Sequence, residues 1–468
     1  MLFNSVEFAL FFIIVFSLYS LLRHKQQNAV LLVASYVFYG AWDWRFLLLL
    51  VFTTCVDWAC GLAMERTTAD RKRKWLLGAS IASNFTVLGF FKYYGFFAQQ
   101  MEVLLRNLGL GFHLETLQIV LPVGISFYTF QALSYTIDVY RKKVDAVKSL
   151  PDFALYVSFF PQLVAGPIER AHDLLPQMQR PRTISWGGLR VGAYLFLWGL
   201  FKKCVIADNL APLANSVFND IGSHNIAEIW VGTLAFAFQI YGDFSGYSDM
   251  ARGLASAMGF QLTNNFNHPY FASNVQDFWH RWHITLSRWF RDYLYIPLGG
   301  NRQGNVKTYR NIFITMTLAG LWHGASWHFV AWGVYHGMLL VFLRILDPAF
   351  SKIKPSRIWK FLGFLVTFHL VCFGWVLFRA PSLASVLAIG GVLYKGIPLT
   401  LALLETAGKV ALFCSLLIAL EWLPFVRNDS TAYLQSPFLA RTAYYTLILF
   451  LLVLYGAPLG EPFIYFQF

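Results

Sequence analysis

Long apolar runs recur along the whole chain, separated by short polar breaks, and this pattern constrains the fold more than any single motif. The runs cover roughly 6–22, 29–42, 46–64, 75–91, 118–138, 186–201, 226–241, 311–330, 330–345, 358–378, 401–424 and 441–457. A helix needs about 20 apolar residues to cross a bilayer alone, so the shorter runs are expected to be tilted, re-entrant or enclosed by the others. The expected fold is an all-α polytopic integral membrane protein with roughly ten to twelve crossings. With no internal repeat, low-complexity tract or soluble stretch in the sequence, residues 1–468 are expected to form one membrane-embedded domain.

Composition excludes the main rival classes. Hydrophobic residues make up 57% of the chain and charged residues 13%, too little polar surface for a soluble protein of this length. The net charge is +13, which in a soluble domain would suggest nucleic acid. Here the cations fall in short loops between apolar runs, so they read as positive-inside loops, and no nucleic-acid role is expected. The five cysteines, Cys55, Cys60, Cys204, Cys372 and Cys414, form no CxxC pair and read as small core residues.

Loop charge also gives an orientation. No cation precedes the first run, and Arg23 and Lys25 follow it, so a retained first helix with its N-terminus outside is expected. The loops at 66–75 and 140–148 are then cytoplasmic in turn. The stretch "YVSFFPQLVAGPIER" (156–170) is apolar but broken by Pro161, Gly166 and Pro167, as in a re-entrant segment held within protein.

Residues 281–310 carry Arg281, Arg288, Arg291, Arg302, Lys307 and Arg310 against Asp292 alone, and are expected to face the cytoplasm. Within them, "FWHRWHITLSRWFRDY" (278–293) has the period of an amphipathic helix. Phe278, Trp279, Trp282, Leu286, Trp289, Phe290 and Tyr293 share one face, and His280, Arg281, Ser287, Arg288 and Arg291 the other. His283 lies at the boundary. Such a helix rests in the interface or plugs the mouth of a cavity.

The stretch "LAGLWHGASWHFVAWGVYHG" (318–337) places His323, His328 and His336 in a run that reads as membrane interior. If the crossing helix starts near Asn311, His323 is about 18 Å deep, near the middle of a hydrocarbon core of about 30 Å. His336 then falls near the opposite interface, and His328 reads as a core or interface histidine with a local partner. The small residues Gly324, Ala325 and Ser326 leave room beside His323 for a substrate or a neighbouring backbone. The histidine spacings match no HxxxH box, and no metal site is expected. In "DFSGYSDM" (243–250), Asp243, Ser245 and Tyr247 either line a passage, orient a histidine from behind, or cap a new helix at a break.

The segments "FWHRWHITLSRWFRDYLYIPLGGNR", "TYRN" and "GLWHGASW" resemble the membrane-bound O-acyltransferase family. So do "LPVGISFYTFQALSYTIDVYR" (121–141), "FFPQLVAGPIER" (159–170), "DFSGYSDMARGLASAMGF" (243–260) and "EPFIYFQF" (461–468). The resemblance spans nearly the whole chain. It is closer to the bacterial polysaccharide branch, typified by the membrane subunit of alginate O-acetylation and its cellulose-acetylation homologues, with a relative in teichoic-acid D-alanylation. His280 stands where many relatives carry Arg.

The resemblance implies a helical ring around a central funnel or tunnel, with re-entrant and interfacial helices. It places the central catalytic histidine on His323 and a second functional histidine on His283. It implies acetyl transfer from a cytoplasmic donor, acetyl-CoA, with no bound cofactor. The acetyl group moves toward a secreted exopolysaccharide, alginate or cellulose, through periplasmic acetyltransferase or carrier proteins at the bacterial inner membrane. A neutral His323 would take the proton of a hydroxyl as it attacks the thioester. Trp322 and Trp282 are candidates to line the passage or stabilise the oxyanion. The rival expectation is a non-catalytic acyl-group channel serving a periplasmic enzyme.

Overall fold

Runs of apolar residues satisfy their own backbone groups by winding into helices, and every regular element among the described residues is helical. The computed structural model describes residues 1–110, 119–164, 166–350, 356–392, 396, 400–457 and 462–466, with side chains at 347–350 and 466 left aside. Ala165, Glu461, Gln467 and Phe468 of the quoted motifs lie outside the described residues. The chain divides into two compact units, 1–192 with 254–263, and 193–253 with 264–468.

The first unit contains α1 (Val6–Leu21), α2 (His24–Asp43), α3 (Leu47–Glu65), α4 (Asp70–Leu88), α5 (Tyr94–Asn107), α6 (Ile125–Tyr140), α7 (Leu150–Ser158) and α8 (Ala171–Gln179). Ser5 caps α1 by accepting the Phe8 N–H at 3.2 Å. A carboxylate inside an apolar bundle needs donors, and Asp57 of α3 finds them on two other helices. It accepts from Ser80 Oγ at 2.5 Å and Asn84 Nδ2 at 2.9 Å on α4, and from Thr136 Oγ1 at 3.3 Å on α6. The broken apolar stretch at 156–170 does interrupt the helices: α7 ends at Ser158, and only the short turn Phe160–Leu163 follows before the chain becomes irregular.

The second unit takes in most of α9 (Trp186–Phe201), followed by a π-turn, Lys202–Ala207, and α10 (Asp208–Phe218). Then come α11 (Ile226–Ala257), α12 (Val275–Arg281), α13 (Ile284–Phe290), α14 (Asn305–His323), α15 (Trp327–Phe350), α16 (Arg357–Arg379), α17 (Leu401–Arg427) and α18 (Phe438–Tyr455). Among the described residues, five stretches are long and apolar enough to cross a membrane: His24–Glu65, Trp327–Leu346, Arg357–Arg379, Leu401–Arg427 and Phe438–Tyr455. Helices such as α14, whose first turns hold Lys307 and Arg310, do not meet both conditions.

Two local expectations are corrected. The run 311–330 is not one crossing helix continuing past His323. α14 ends at His323, the chain turns through Gly324, Ala325 and Ser326, and α15 runs back along α14. Glycines at the seam make the reversal dense. A Cβ at Gly320 would collide with the Phe329 carbonyl, and one at Gly333 with the Met316 carbonyl, so the two backbones touch. His336 therefore returns beside α14 rather than reaching the opposite interface, and it is buried.

The segment 278–293 is not one helix either. α12 stops at Arg281, Trp282 is extended, and His283 adopts a left-handed backbone with φ 42° before α13 begins. The face assignment survives the break. Phe278, Trp282, Leu286, Trp289 and Phe290 are buried, and His280, Arg288 and Arg291 are exposed.

Candidate active site

The left-handed turn at His283 is built around Asn265. A non-glycine residue at positive φ carries strain that the surroundings must offset. The Asn265 carbonyl accepts the Ile284 N–H at 2.9 Å. Its side-chain oxygen accepts the Thr285 N–H at 3.2 Å and the Thr285 hydroxyl at 2.9 Å, acting as an external cap on α13. The same oxygen lies 3.2 Å from Nδ1 of His283. An atom already receiving two donors is an acceptor, so Nδ1 donates and Nε2 carries the lone pair. His283 is 1% exposed, and burial lowers its pKa to about 3. The ring is neutral at physiological pH.

His323 is the last residue of α14, and both of its neighbouring walls are aromatic. Its ring centroid lies 5.0 Å from Trp322, 5.1 Å from Trp332, 5.2 Å from Phe378 and 5.8 Å from Tyr465. The rings of His283 and His323 share two of these neighbours, since His283 lies 6.0 Å from Trp322 and 6.5 Å from Tyr465. The space expected beside Gly324 is filled: a Cβ there would overlap the Phe329 ring.

His323 closes one end of a cavity of about 1480 Å³. A single stripe of α14 lines it: Asn305, Tyr309, Ile312, Thr315, Met316, Ala319 and His323. From Asn305 to His323 the helix rises about 27 Å. Because α15 runs antiparallel to α14 and α16 to α15, Arg344 and Lys360 come to the Asn305 end of the cavity. Arg288 and Arg291 also line it, and all four cations are exposed. The cavity thus joins a basic mouth to an imidazole.

The remaining sequence candidates separate. Trp322 sits between the two histidines, and His280 lines the cavity. Trp282 is a core residue, packed 4.8 Å from Trp375 and 5.1 Å from Phe266. Asp243, Ser245 and Tyr247 do not cap a new helix, because α11 runs unbroken from Ile226 to Ala257. They are held by buried lysines and aromatic rings instead. Ser245 Oγ accepts from Lys202 Nζ at 2.9 Å, and Asp243 meets Lys203 Nζ at 2.9 Å. Tyr247 packs on Phe463 at 4.5 Å. Sequence reasoning missed Asn265, Trp332 and Tyr465. Trp332 had a readable signal, one antiparallel helix turn away from His323, once the reversal at 324–326 is known. His328 finds a local partner, the Leu377 carbonyl, at 3.2 Å. Among the described residues no group of three or more His, Cys, Asp or Glu could hold a metal ion.

Comparison with known proteins agrees with the motifs. Residues 140–387 match the model of the membrane-bound O-acyltransferase family, MBOAT. A protein of Pseudomonas aeruginosa named "Probable alginate O-acetylase AlgI" is 44% identical over 388 residues, 82% of this chain and 73% of that one. The peptidoglycan O-acetyltransferase of Helicobacter pylori is 38% identical over 422 residues, 83% of this chain and 79% of that one. The teichoic acid D-alanyltransferase of Bacillus subtilis is 28% identical over 268 residues, 55% of this chain and 68% of that one. The chain belongs to the membrane-bound O-acyltransferase family. It is an acyltransferase and a multi-pass membrane protein.

Proposed function

We propose that the chain transfers acetyl groups from acetyl-CoA on the cytoplasmic side of the bacterial inner membrane toward a secreted polysaccharide, with residues 1–468 working as one membrane-embedded unit. The observation that carries this reading is the cavity joining four exposed cations to His323. Phosphates of the donor are attracted to Arg288, Arg291, Arg344 and Lys360, and the thioester arm extends inward. Cations on short loops mark the cytoplasmic side, which puts the donor where acetyl-CoA is made.

His323 is the general base. It removes the proton of an acceptor hydroxyl as the oxygen attacks the thioester carbonyl. The tetrahedral intermediate collapses with loss of the thiolate, which recovers the proton from the imidazolium and leaves as free thiol. No acyl-enzyme is required. His283, neutral and fixed by Asn265, presents Nε2 beside the same aromatic walls and orients the reacting groups. Trp322 separates and aligns the two imidazoles. His280 lines the same cavity and faces the donor's path. Trp282, Asp243, Ser245 and Tyr247 support the site from behind rather than touching substrate.

The acceptor is a secreted polysaccharide of the alginate type, the polymer named for the relatives at 41–44% identity, reached through periplasmic partner proteins. The test is the acetate content of the secreted polymer in cells carrying H323A or H283A at matched protein abundance. Both variants are expected to lose acetylation. Wild-type acetate with H323A would overturn the base assignment. Retained donor turnover with lost polymer acetate would point to a channel serving another enzyme.

A further inference from the structure

The end of α18 and the chain beyond it are held within the second unit at three places. Asn209 Nδ2 donates to the Tyr455 carbonyl at 2.7 Å. The Ala457 N–H donates to the Cys204 carbonyl at 3.3 Å, inside the π-turn. The third contact is the Ile464 N–H, which donates to Asp243 Oδ2 at 2.6 Å.

The third contact is chemically unlike the other two. Asp243 sits in the middle of α11 with a side chain 3% exposed. Its other oxygen meets Lys203 Nζ at 2.9 Å, and Lys203 meets Asp208 Oδ1 at 2.8 Å. One carboxylate is thus neutralised by a buried ammonium and aimed at a main-chain amide. A charge-assisted hydrogen bond of this length is roughly twice as strong as a neutral one. The next residue on each strand of the contact completes the arrangement. Phe244 follows Asp243, and Tyr465 follows Ile464. Their ring centroids are 4.5 Å apart, and Phe244 is also 4.7 Å from His283. The clasp at 243 and 464 therefore sets the Tyr465 ring between the two histidines.

We propose that Asp243 is a positioning residue for acyl transfer. It fixes the segment at 462–466, and through Ile464 it holds Tyr465 as the wall that His283 and His323 share. The proposal rests on the reading of His323 as the base. It gives Asp243 a role exerted through the main chain of another segment, not through contact with donor or acceptor.

The test isolates that one hydrogen bond. I464P deletes the N–H and leaves Asp243 with Lys203, while I464A is the matched comparator that keeps the N–H. Turnover is read as free thiol released from acetyl-CoA by the full chain in membrane vesicles from expressing cells that also make the acceptor polymer and its partner proteins, with KM for acetyl-CoA, protein abundance and thermal midpoint alongside. Expected is a kcat for I464P roughly tenfold below that of I464A, with KM for acetyl-CoA matching I464A and a thermal midpoint lowered by the loss of one buried hydrogen bond. D243N is expected to lower kcat by a similar factor. The double variant should lose less than the product of the two singles, because both changes act on the contact between 243 and 464. Equal kcat for I464P and I464A overturns the proposal, as does a double variant whose loss is the product of the two singles. If I464P does not accumulate, D243N decides alone: reduced kcat with unchanged KM supports the role, and wild-type kcat ends it. H323A run in parallel keeps the two readings apart, since full turnover there would remove the base assignment whatever happens at 464.

Discussion

Asn265 and His283 are eighteen residues apart in sequence and share one hydrogen bond that fixes which ring nitrogen is basic. The Asn265 side-chain oxygen also takes both donors of Thr285, so its orientation is over-determined. Replacing Asn265 by Ala leaves the Thr285 N–H and hydroxyl and His283 Nδ1 buried without that acceptor. The expected cost is about 1–3 kcal/mol in stability, with loss of acetylation. N265D keeps the acceptor and is expected to keep the fold, but its charge favours the imidazolium at His283. Thermal unfolding and polymer acetate, measured on both variants, check the pair; N265A at wild-type stability and activity would contradict it.

Acid sensitivity follows from the buried ring. In the unfolded chain a histidine titrates near 6.5, and in the fold His283 titrates near 3. The folded state binds fewer protons between these values, so the neutral ring's contribution to stability is complete above pH 6.5. It declines by about 1.4 kcal/mol or less per pH unit as pH falls toward 3. The thermal midpoint of the wild type should drop from pH 7 to pH 5, and H283N should flatten part of that slope. Parallel curves for the two proteins would refute the assignment.

Charge at the cavity mouth should be felt in donor affinity and not in chemistry. Arg288 and Arg344 are exposed and line the cavity, Arg344 at its Asn305 end. R344E or R288E is expected to raise KM for acetyl-CoA by roughly three- to tenfold at low salt, with kcat kept within about twofold. The difference from wild type should shrink as ionic strength rises. An unchanged KM at low salt would mean that these cations serve topology alone.

Gly324 tests the packing behind His323. A Cβ there would overlap the Phe329 ring, which is itself wedged 4.9 Å from Phe378 and 4.1 Å from His328. G324A is expected to cost about 1–3 kcal/mol and to reduce turnover by shifting His323. The double variant G324A/F329L should recover part of the stability, and failure of that rescue would show that the ring is not the obstacle.

What was legible in the sequence were features set by local periodicity and charge. Apolar runs marked the helices, and the two faces of 278–293 were read correctly because burial follows the 3.6-residue period even where the helix is broken. The break itself was hidden, since it depends on Asn265, a residue outside the segment. The reversal after His323 was hidden as well: Gly324, Ala325 and Ser326 punctuate a run whose hydropathy continues on both sides, and only the contacts of Gly320 and Gly333 across the seam settle the direction. For Asp243 the sequence left open a passage lining, a support behind a histidine or a helix cap. Its stabilising partners, Lys203 and the Ile464 amide, are distant in sequence. The motif resemblance pointed to His323 and His283 without the geometry, but not to Tyr465, whose place beside them is made by a long-range clasp.

The glycine seam between α14 and α15 has a mechanical consequence. Where two helices meet main chain to main chain, there are no long side chains to shear past one another, and the hairpin behaves as a stiff rod with His323 at its tip. Opening the site proposed at His323 must then fall to the walls that come from outside the hairpin, Phe378 and Tyr465, while the imidazole stays still.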